Sequence, residues 1–424
     1  VLSPKRVLLV STTTGYQTRS FGEAAERRGV ELVLATDRCH QLDDPWRDAA
    51  IPVRFYDEED SLHAVIDASS RKPVQGVIPL GDRPTVLAAR IAASLGVPGN
   101  PVAAAEISRS KLATRERLAS AGLVSPWFRR VALDADPSPL ALELSFPCVL
   151  KPLGLAGSRG VIRADTPTQF VIAFERLRQL LAEPSIMATR DALNDTLIVE
   201  GFVAGREVAL EGLVEDGHLR TLAIFDKPDP LDGPFFEETV YVTPSALPPT
   251  RQRELEAVVA RAIVAIGLRH GPVHAECRIH DDIVVLEVAA RPIGGLCARA
   301  LRFEGPGEDS ISLEELLLRH ACGERTHHLM REAASSGVMM IPIPARGIYR
   351  RVDGVAAARS VPGVYDVRIT AKPDQLLVPL PEGASYLGFI FAKGERAEEV
   401  VQALRTAHTR LEFMIDREIA VSRI

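Results

Sequence analysis

Two glutamates facing each other across a β-hairpin are the strongest chemical signal in this chain. The runs Val273-His-Ala-Glu-Cys-Arg-Ile-His280 and Ile283-Val-Val-Leu-Glu-Val-Ala-Ala-Arg-Pro292 flank Asp281-Asp282, a hairpin pattern. Closing the turn at the two aspartates predicts His280 opposite Ile283, Cys277 opposite Leu286 and Glu276 opposite Glu287. Alternation along the strands then separates two faces. Val273, Ala275, Cys277, Ile279, Val284, Leu286, Val288 and Ala290 form an apolar face. His274, Glu276, Arg278, Val285, Glu287, Ala289 and Arg291 form a chemical one. Like charges directly opposed destabilise a strand pair, and a divalent cation with oxygen ligands would compensate them. The competing reading is a solvated pair with Arg278 neutralising one carboxylate.

Other residues suit the handling of anions. Lys111 stands at the start of an amphipathic helix over 108–122, where the helix dipole disfavours a cation; a phosphate contact would suit it, and a solvated helix lysine is the alternative. Lys151 ends an apolar strand and precedes Pro152-Leu-Gly-Leu-Ala-Gly-Ser158-Arg159-Gly160, a loop able to close on phosphates through backbone N–H groups. It lacks the G-K-[ST] of a Walker loop; an ordinary hairpin loop is the alternative. In Thr196-Leu-Ile-Val-Glu200-Gly-Phe202-Val203-Ala-Gly-Arg-Glu207 a strand runs into a short connection whose backbone could meet an adenine edge, with Glu207 positioned for ribose hydroxyls. Arg291 lies four residues beyond Glu287 on the same side of its strand, placed to hold an anionic oxygen beside a metal. Gly294 and Gly295 follow in a tight turn that leaves backbone N–H groups available.

These groups need elements to position them. Residues 1–105 alternate strand and helix signals, with strands at 6–11, 30–35 and 76–80 and helices at 20–29 and 84–95, which predicts a doubly wound parallel α/β layer. The loop Ser11-Thr-Thr-Thr-Gly15 lacks G-x-G-x-x-G, which argues against a dinucleotide site there. Residues 106–330 mix α and β, and the proline-rich stretch 226–249 reads as a long functional loop. Residues 331–424 form an α+β region with strands at 337–343, 364–370 and 386–391 and a helix at 396–408. At 424 residues, 46% hydrophobic and 25% charged, the chain has the make-up of a two- or three-domain globular protein. A net charge of −6 argues against a general nucleic-acid surface, and no apolar run has membrane-spanning length. Five cysteines without C-x-x-C spacing, together with a start lacking signal-peptide architecture, predict reduced thiols and a cytoplasmic protein.

In this order, a helix-start lysine, a strand lysine with a Gly/Ser loop, E-x-x-x-x-G-x-E and E…E-x-x-x-R, the elements resemble the ATP-grasp superfamily over roughly residues 1–330. Gly337-Val-Met-Met-Ile-Pro-Ile-Pro344, Ile369-Thr-Ala-Lys-Pro-Asp374 and Val378-Pro-Leu-Pro-Glu-Gly-Ala-Ser-Tyr-Leu-Gly-Phe-Ile-Phe391 resemble the C-terminal domain of the L-amino-acid ligases. The resemblance implies an ATP-grasp fold and an ATP-dependent carboxylate–amine ligase working through an acyl phosphate, with L-amino acids as both substrates. Lys111 and Lys151 would contact the ATP phosphates, and Ser158, Arg159 and Gly160 would form the mobile phosphate loop. Glu200, Phe202 and Val203 would receive adenine and Glu207 the ribose. Glu276 and Glu287 would hold magnesium, with manganese as an alternative ion. Arg291 would stabilise the acyl phosphate. Glu237 or Glu238 and His274 would meet the substrate's amino group, and a homodimer would be compatible with the superfamily. One departure matters: many members read E-x-N-x-R, whereas this chain has Ala289 in place of the asparagine ligand. That departure keeps open a regulatory protein that holds ATP without turnover. A biotin-carboxylase-like or purine-pathway chemistry is the nearer alternative.

Overall fold

The computed structural model describes residues 5–12, 15–37 and 50–417. Its first unit is a four-stranded parallel sheet ordered Ile51–Pro52, Glu31–Thr36, Arg6–Ser11, Gly76–Leu80. Val7 and Leu9 bury against Phe21 and Ala24 of helix Gly15–Arg28. Leu8 and Val10 bury on the opposite face against Val65, Leu87 and Ile91 of helices Glu58–Arg71 and Thr85–Leu95. Covering both faces with helices is what a parallel layer requires, and the doubly wound expectation holds. The short strand Ile51–Pro52 and the helix Glu58–Arg71 were not anticipated, and the first helix begins at Gly15 rather than at residue 20. Residues 13 and 14 of the Ser11–Gly15 loop, and Cys39, lie outside the described residues.

A small antiparallel lobe follows, ordered Phe128–Ala132, Thr196–Gly201, Cys148–Pro152, Ile162–Ala164. Helix Pro167–Leu181 seals it through Phe170, Phe174, Leu177 and Leu181, the i, i+4, i+7, i+11 stripe of an amphipathic helix. The larger lobe is part of an eight-stranded sheet: Ile283–Ala289, His270–Ile279, Arg206–Glu215, His218–Asp226, Val240–Thr243, Ser335–Ile341, Gly388–Gly394, Val364–Ile369. Helix Pro249–Ile266 packs Leu255, Val259 and Ile263 behind it, against Val208, Val273 and Cys277. Helix Ala397–His408 covers the C-terminal strands with Val400 and Leu404. One sheet therefore takes strands from both sides of residue 330, where the sequence signals had separated two regions.

Two local expectations change. The proline-rich stretch is not one long loop, because Val240–Thr243 is a strand within it. The helix expected over 108–122 is two helices, Val102–Arg109 and Lys111–Ser120. Ser110 separates them in an extended conformation, and its hydroxyl caps the second helix by accepting from the Ala113 N–H at 3.3 Å. An N-cap serine satisfies donors that the first turn leaves open. Among the described residues, no helix is long and apolar enough to cross a membrane. Cys148, Cys277 and Cys297 are buried free thiols, and Cys322 is half-buried and free.

Candidate active site

The small lobe, the large sheet and the start of helix Lys111–Ser120 line a cavity of about 210 Å³. Its floor is the hairpin His270–Ile279/Ile283–Ala289, in which Glu276 pairs with Glu287 as expected. The rest of the register differs. Ile279 opposes Ile283 and Cys277 opposes Val285, so Leu286 is the extra residue of a β-bulge. A bulge re-aims side chains. Val285, anticipated on the chemical face, joins the apolar core with Val288, while Leu286 and Glu287 both line the cavity. Arg115 secures the bulge, donating to the carbonyls of Val285 at 2.7 Å and Leu286 at 3.3 Å.

Arg278 does not neutralise either hairpin glutamate. Its guanidinium pairs with Glu207 at 3.0 Å and donates to the Val203 carbonyl at 2.8 Å. The compensating cation is Lys227, which the sequence reading missed. Its Nζ lies 2.7 Å from Glu207 and 3.0 Å from Glu276, and it also pairs with Glu238. Burial alone would lower its pKa, but the three carboxylates hold it well above the ordinary lysine value. Burial pushes Glu276 up, yet Lys227 and then His274 hold it well below the carboxylate range. Glu238 goes the other way: burial, reinforced by Glu276 and Glu207 and opposed by Lys227, pushes it up to about 7. The one signal for Lys227 was its place just past an apolar strand, Leu222-Ala-Ile-Phe-Asp226, the same setting as Lys151.

The oxygens of Glu207, Glu238 and Glu276 lie within 4.8 Å of one another, and Glu287 faces Glu276 with no ion pair or hydrogen bond to any described residue. A set of hard carboxylate oxygens with one unengaged member suits magnesium or manganese. Ala289 lies opposite His274, buried, and brings no ligand.

The remaining anticipated residues fall into two groups. Lys111, Lys151, Ser158, Glu200, Phe202, Val203, Glu207, Glu238, His274, Arg291, Gly294 and Gly295 line the same cavity as the glutamate pair. Lys111 reaches across to donate to the Leu155 carbonyl at 2.7 Å. Lys151 pairs with Glu200, which also takes Arg115 at 3.0 Å. Burial opposes ionisation of Glu200, but Lys151 and Arg115 together lower its pKa. Arg159, Gly160 and Glu237 are not brought into the cavity. Arg159 pairs with Glu183 and donates to the Glu382 carbonyl at 2.7 Å. Gly160 donates its N–H to the Pro381 carbonyl at 2.8 Å. It has φ +74° and packs on Pro152, 2.7 Å from where a Cβ would stand, so only glycine fits. Glu237 is half-buried, and burial raises its pKa. The glycine loop is thus docked on the C-terminal segment. The connection after Asp226 docks on the adjoining strand Ile162–Ala164, through the bridge Ile162–Phe235 and a 2.9 Å bond from the Arg163 N–H to the Pro234 carbonyl.

At the other end, His274 Nδ1 lies 3.1 Å from Glu211 and Nε2 3.5 Å from Glu276. Burial would lower its pKa, but these two carboxylates raise it to about 9, so the imidazole is a cation at neutral pH. Glu211, fully buried, also accepts from the Ile293 N–H at 3.1 Å and so fixes the turn carrying Gly294 and Gly295. Arg291 is held by Asp82 of the first unit, a second partner that sequence spacing did not reveal.

Comparison with known proteins gives matches along the chain. Residues 22–99 match the ATP-grasp N-terminal domain, 144–300 the ATP-grasp domain, and 339–416 the L-amino acid ligase C-terminal domain 2. The L-amino acid ligase of Bacillus licheniformis superposes with a TM-score of 0.82 at 26% identity, over 98% of this chain and 100% of that one. An uncharacterised Sinorhizobium fredii protein is 25% identical over 394 residues, 92% of this chain and 78% of its own length. The alanine–anticapsin ligase of Bacillus subtilis is 26% identical over 253 residues, 56% of this chain, and the match spans about half of that ligase, 52%. Consecutive matches along the chain, over an architecture shared from end to end, place it in the ATP-grasp superfamily, where it resembles the L-amino-acid ligase branch.

Proposed function

We propose that the protein is an ATP-dependent carboxylate–amine ligase that joins two L-amino acids into a dipeptide, releasing ADP and phosphate. The observation carrying this reading is the meeting, in one cavity, of the Glu276–Glu287 pair, Lys111, Lys151 and Arg291, with the buried Lys227 paired to Glu276. Likeness to an L-amino acid ligase along the whole chain supports the substrate class. Lys111 and Lys151 meet the ATP phosphates, and the backbone of Glu200–Val203 receives the adenine. Glu276 and Glu287 would hold magnesium or manganese, which when bound neutralises phosphate charge. A substrate carboxylate oxygen attacks the γ-phosphorus in line, the bond to the β-phosphate oxygen breaks, and ADP leaves. The cationic His274 and Arg291 face the resulting acyl phosphate. The amine nitrogen then attacks the acyl carbon, phosphate departs, and Glu238, with a pKa near 7, takes the amine's proton, as a base matched to neutral pH should. The docked loops at 158–160 and 228–239 exclude water from the intermediate.

The test is phosphate release across pairwise combinations of amino acids with ATP and magnesium, followed by mass spectrometry of the product. An amide whose mass equals the two substrates less water, absent in Glu276→Gln, is the expected result. Trapping with hydroxylamine separates this chemistry from bicarbonate- or formate-dependent relatives. Ala289 favours a second reading, nucleotide binding without turnover. That reading expects ATP to bind while ADP never rises above background with any amino-acid mixture.

A further inference from the structure

We infer that Asp82, from the first α/β unit, is the positioning residue for Arg291, and that it leaves one edge of the guanidinium as a fork for the phosphoryl group. This rests on the reading of Arg291 given above. Asp82 follows the strand Gly76–Leu80 at the carboxyl edge of the parallel sheet, where α/β folds place ligand-binding groups. Its own carbonyl accepts from the Thr85 hydroxyl at 2.6 Å and the Thr85 N–H at 3.2 Å, anchoring the residue to the start of helix Thr85–Leu95. Its carboxylate then reaches a residue 209 positions away.

The donor count decides the argument. An arginine has five N–H groups in a fixed plane. The Arg291 Nε donates to Asp82 Oδ1 at 2.9 Å and Nη2 to Oδ2 at 3.2 Å, while Nη1 donates to the Pro292 carbonyl at 3.1 Å. Three donors are engaged. One N–H on Nη1 and one on Nη2 remain without a partner among the described residues, two donors of the kind that grip two oxygens of a phosphate. Arg291 lines the cavity that holds Glu276, Glu287 and Lys151. A guanidinium held by a two-pronged carboxylate cannot rotate its plane without breaking both bonds, so the fork is aimed before a substrate arrives. Preorganised donors of this kind are worth most at a transition state. The side chains of Asp82 and Arg291 are only 22% and 12% exposed, which keeps water from competing for the pair.

The experiment compares wild type, Asp82→Asn, Arg291→Lys and the double variant. Titration calorimetry gives the affinity for magnesium–ADP alone and the tightening when aluminium fluoride is added as a planar phosphoryl mimic. Asp82→Asn should keep its ADP affinity within about twofold and lose at least about tenfold of the fluoride-dependent tightening, as expected when a gripping group is misaimed by an ångström or less. Arg291→Lys should behave alike, and the double variant should lose no more than either, because the two residues act as one unit. In turnover, kcat should fall while the KM for ATP holds. Asp82→Asn that lowers only the melting temperature, or raises only the KM for the amine, overturns the proposal, as does additivity in the double variant. Wild type that tightens with fluoride but makes no amide refutes the ligase reading and leaves the Asp82 comparison intact. Wild type that binds ADP without tightening overturns both.

Discussion

Replacing Lys227 by methionine keeps the length of the side chain and removes the charge on which three carboxylates converge. The oxygens of Glu207, Glu238 and Glu276 lie within 4.8 Å of one another. At an effective dielectric constant of about 20, each ionised pair at that separation repels by roughly 3.5 kcal/mol, or about 10 kcal/mol for three pairs. The variant escapes most of this by taking up protons. Glu238 already titrates near 7, so its proton costs little at neutral pH. A second carboxylate with an ordinary value of 4.5 costs about 3.4 kcal/mol to protonate at pH 7. The expected loss of stability is therefore about 3 to 5 kcal/mol, the range seen when one partner of a buried pair is removed. The sign with pH follows. The variant's carboxylates have folded values raised above their unfolded ones, so the penalty is present above about pH 4.5 and shrinks as pH falls, by about 2.7 kcal/mol between pH 7 and 5. Magnesium alone should substitute for the missing cation and add about 2.7 kcal/mol at a hundredfold excess over its dissociation constant. Urea unfolding of both proteins at pH 7 and 5, with chelator and with magnesium, measures all three quantities. Equal stability in chelator at pH 7, or a gap that stays constant down to pH 5, refutes the electrostatic account of the cluster.

Three further outcomes are expected. Glu276→Gln and Glu287→Gln should each weaken magnesium–nucleotide binding at least about tenfold while leaving metal-free nucleotide binding within about twofold, as calorimetry with and without magnesium will check. Arg115→Met leaves Glu200 with Lys151 alone and strips the bulge carbonyls of their donor, and should cost about 3 to 5 kcal/mol in urea unfolding. The rings of His270 and His320 stack at 4.2 Å, and burial lowers both to about 4, with His320 adding to the shift at His270 and Arg220 to that at His320. A depressed histidine leaves stability intact above its unfolded value of 6.5 and loses it as pH falls toward 4, at roughly 2 kcal/mol per imidazole by pH 5. His320→Phe should flatten that part of the pH–stability curve.

The residues legible in the sequence were those whose neighbours in space are also neighbours in the chain. The Glu276–Glu287 pairing could be counted from the turn, and the anticipated strands of the C-terminal region fall within three residues of those observed. The bulge could not be counted. Ile283, Val284, Val285 and Leu286 are four apolar residues in a row, and alternation has no purchase on such a run. The cations that balance the site were equally hidden. Arg115 meets a glutamate 85 residues away, Lys227 one 49 residues away and Arg291 an aspartate 209 residues away. A charged residue in a sequence does not announce whether its partner is solvent or a distant carboxylate.

The eight-stranded sheet has a practical consequence for anyone wishing to exchange the tail of this protein for that of a relative. Val240–Thr243 hydrogen-bonds to Ser335–Ile341 on the side away from His218–Asp226. A cut near residue 330 would therefore strip a strand of half its ladder, baring a row of amides and the valines 240 and 242 that now pack beneath the last helix. Such an edge invites pairing between molecules. Chimeras that take the strands Val240–Thr243, Ser335–Ile341, Gly388–Gly394 and Val364–Ile369 together from one parent are the ones expected to stay monodisperse.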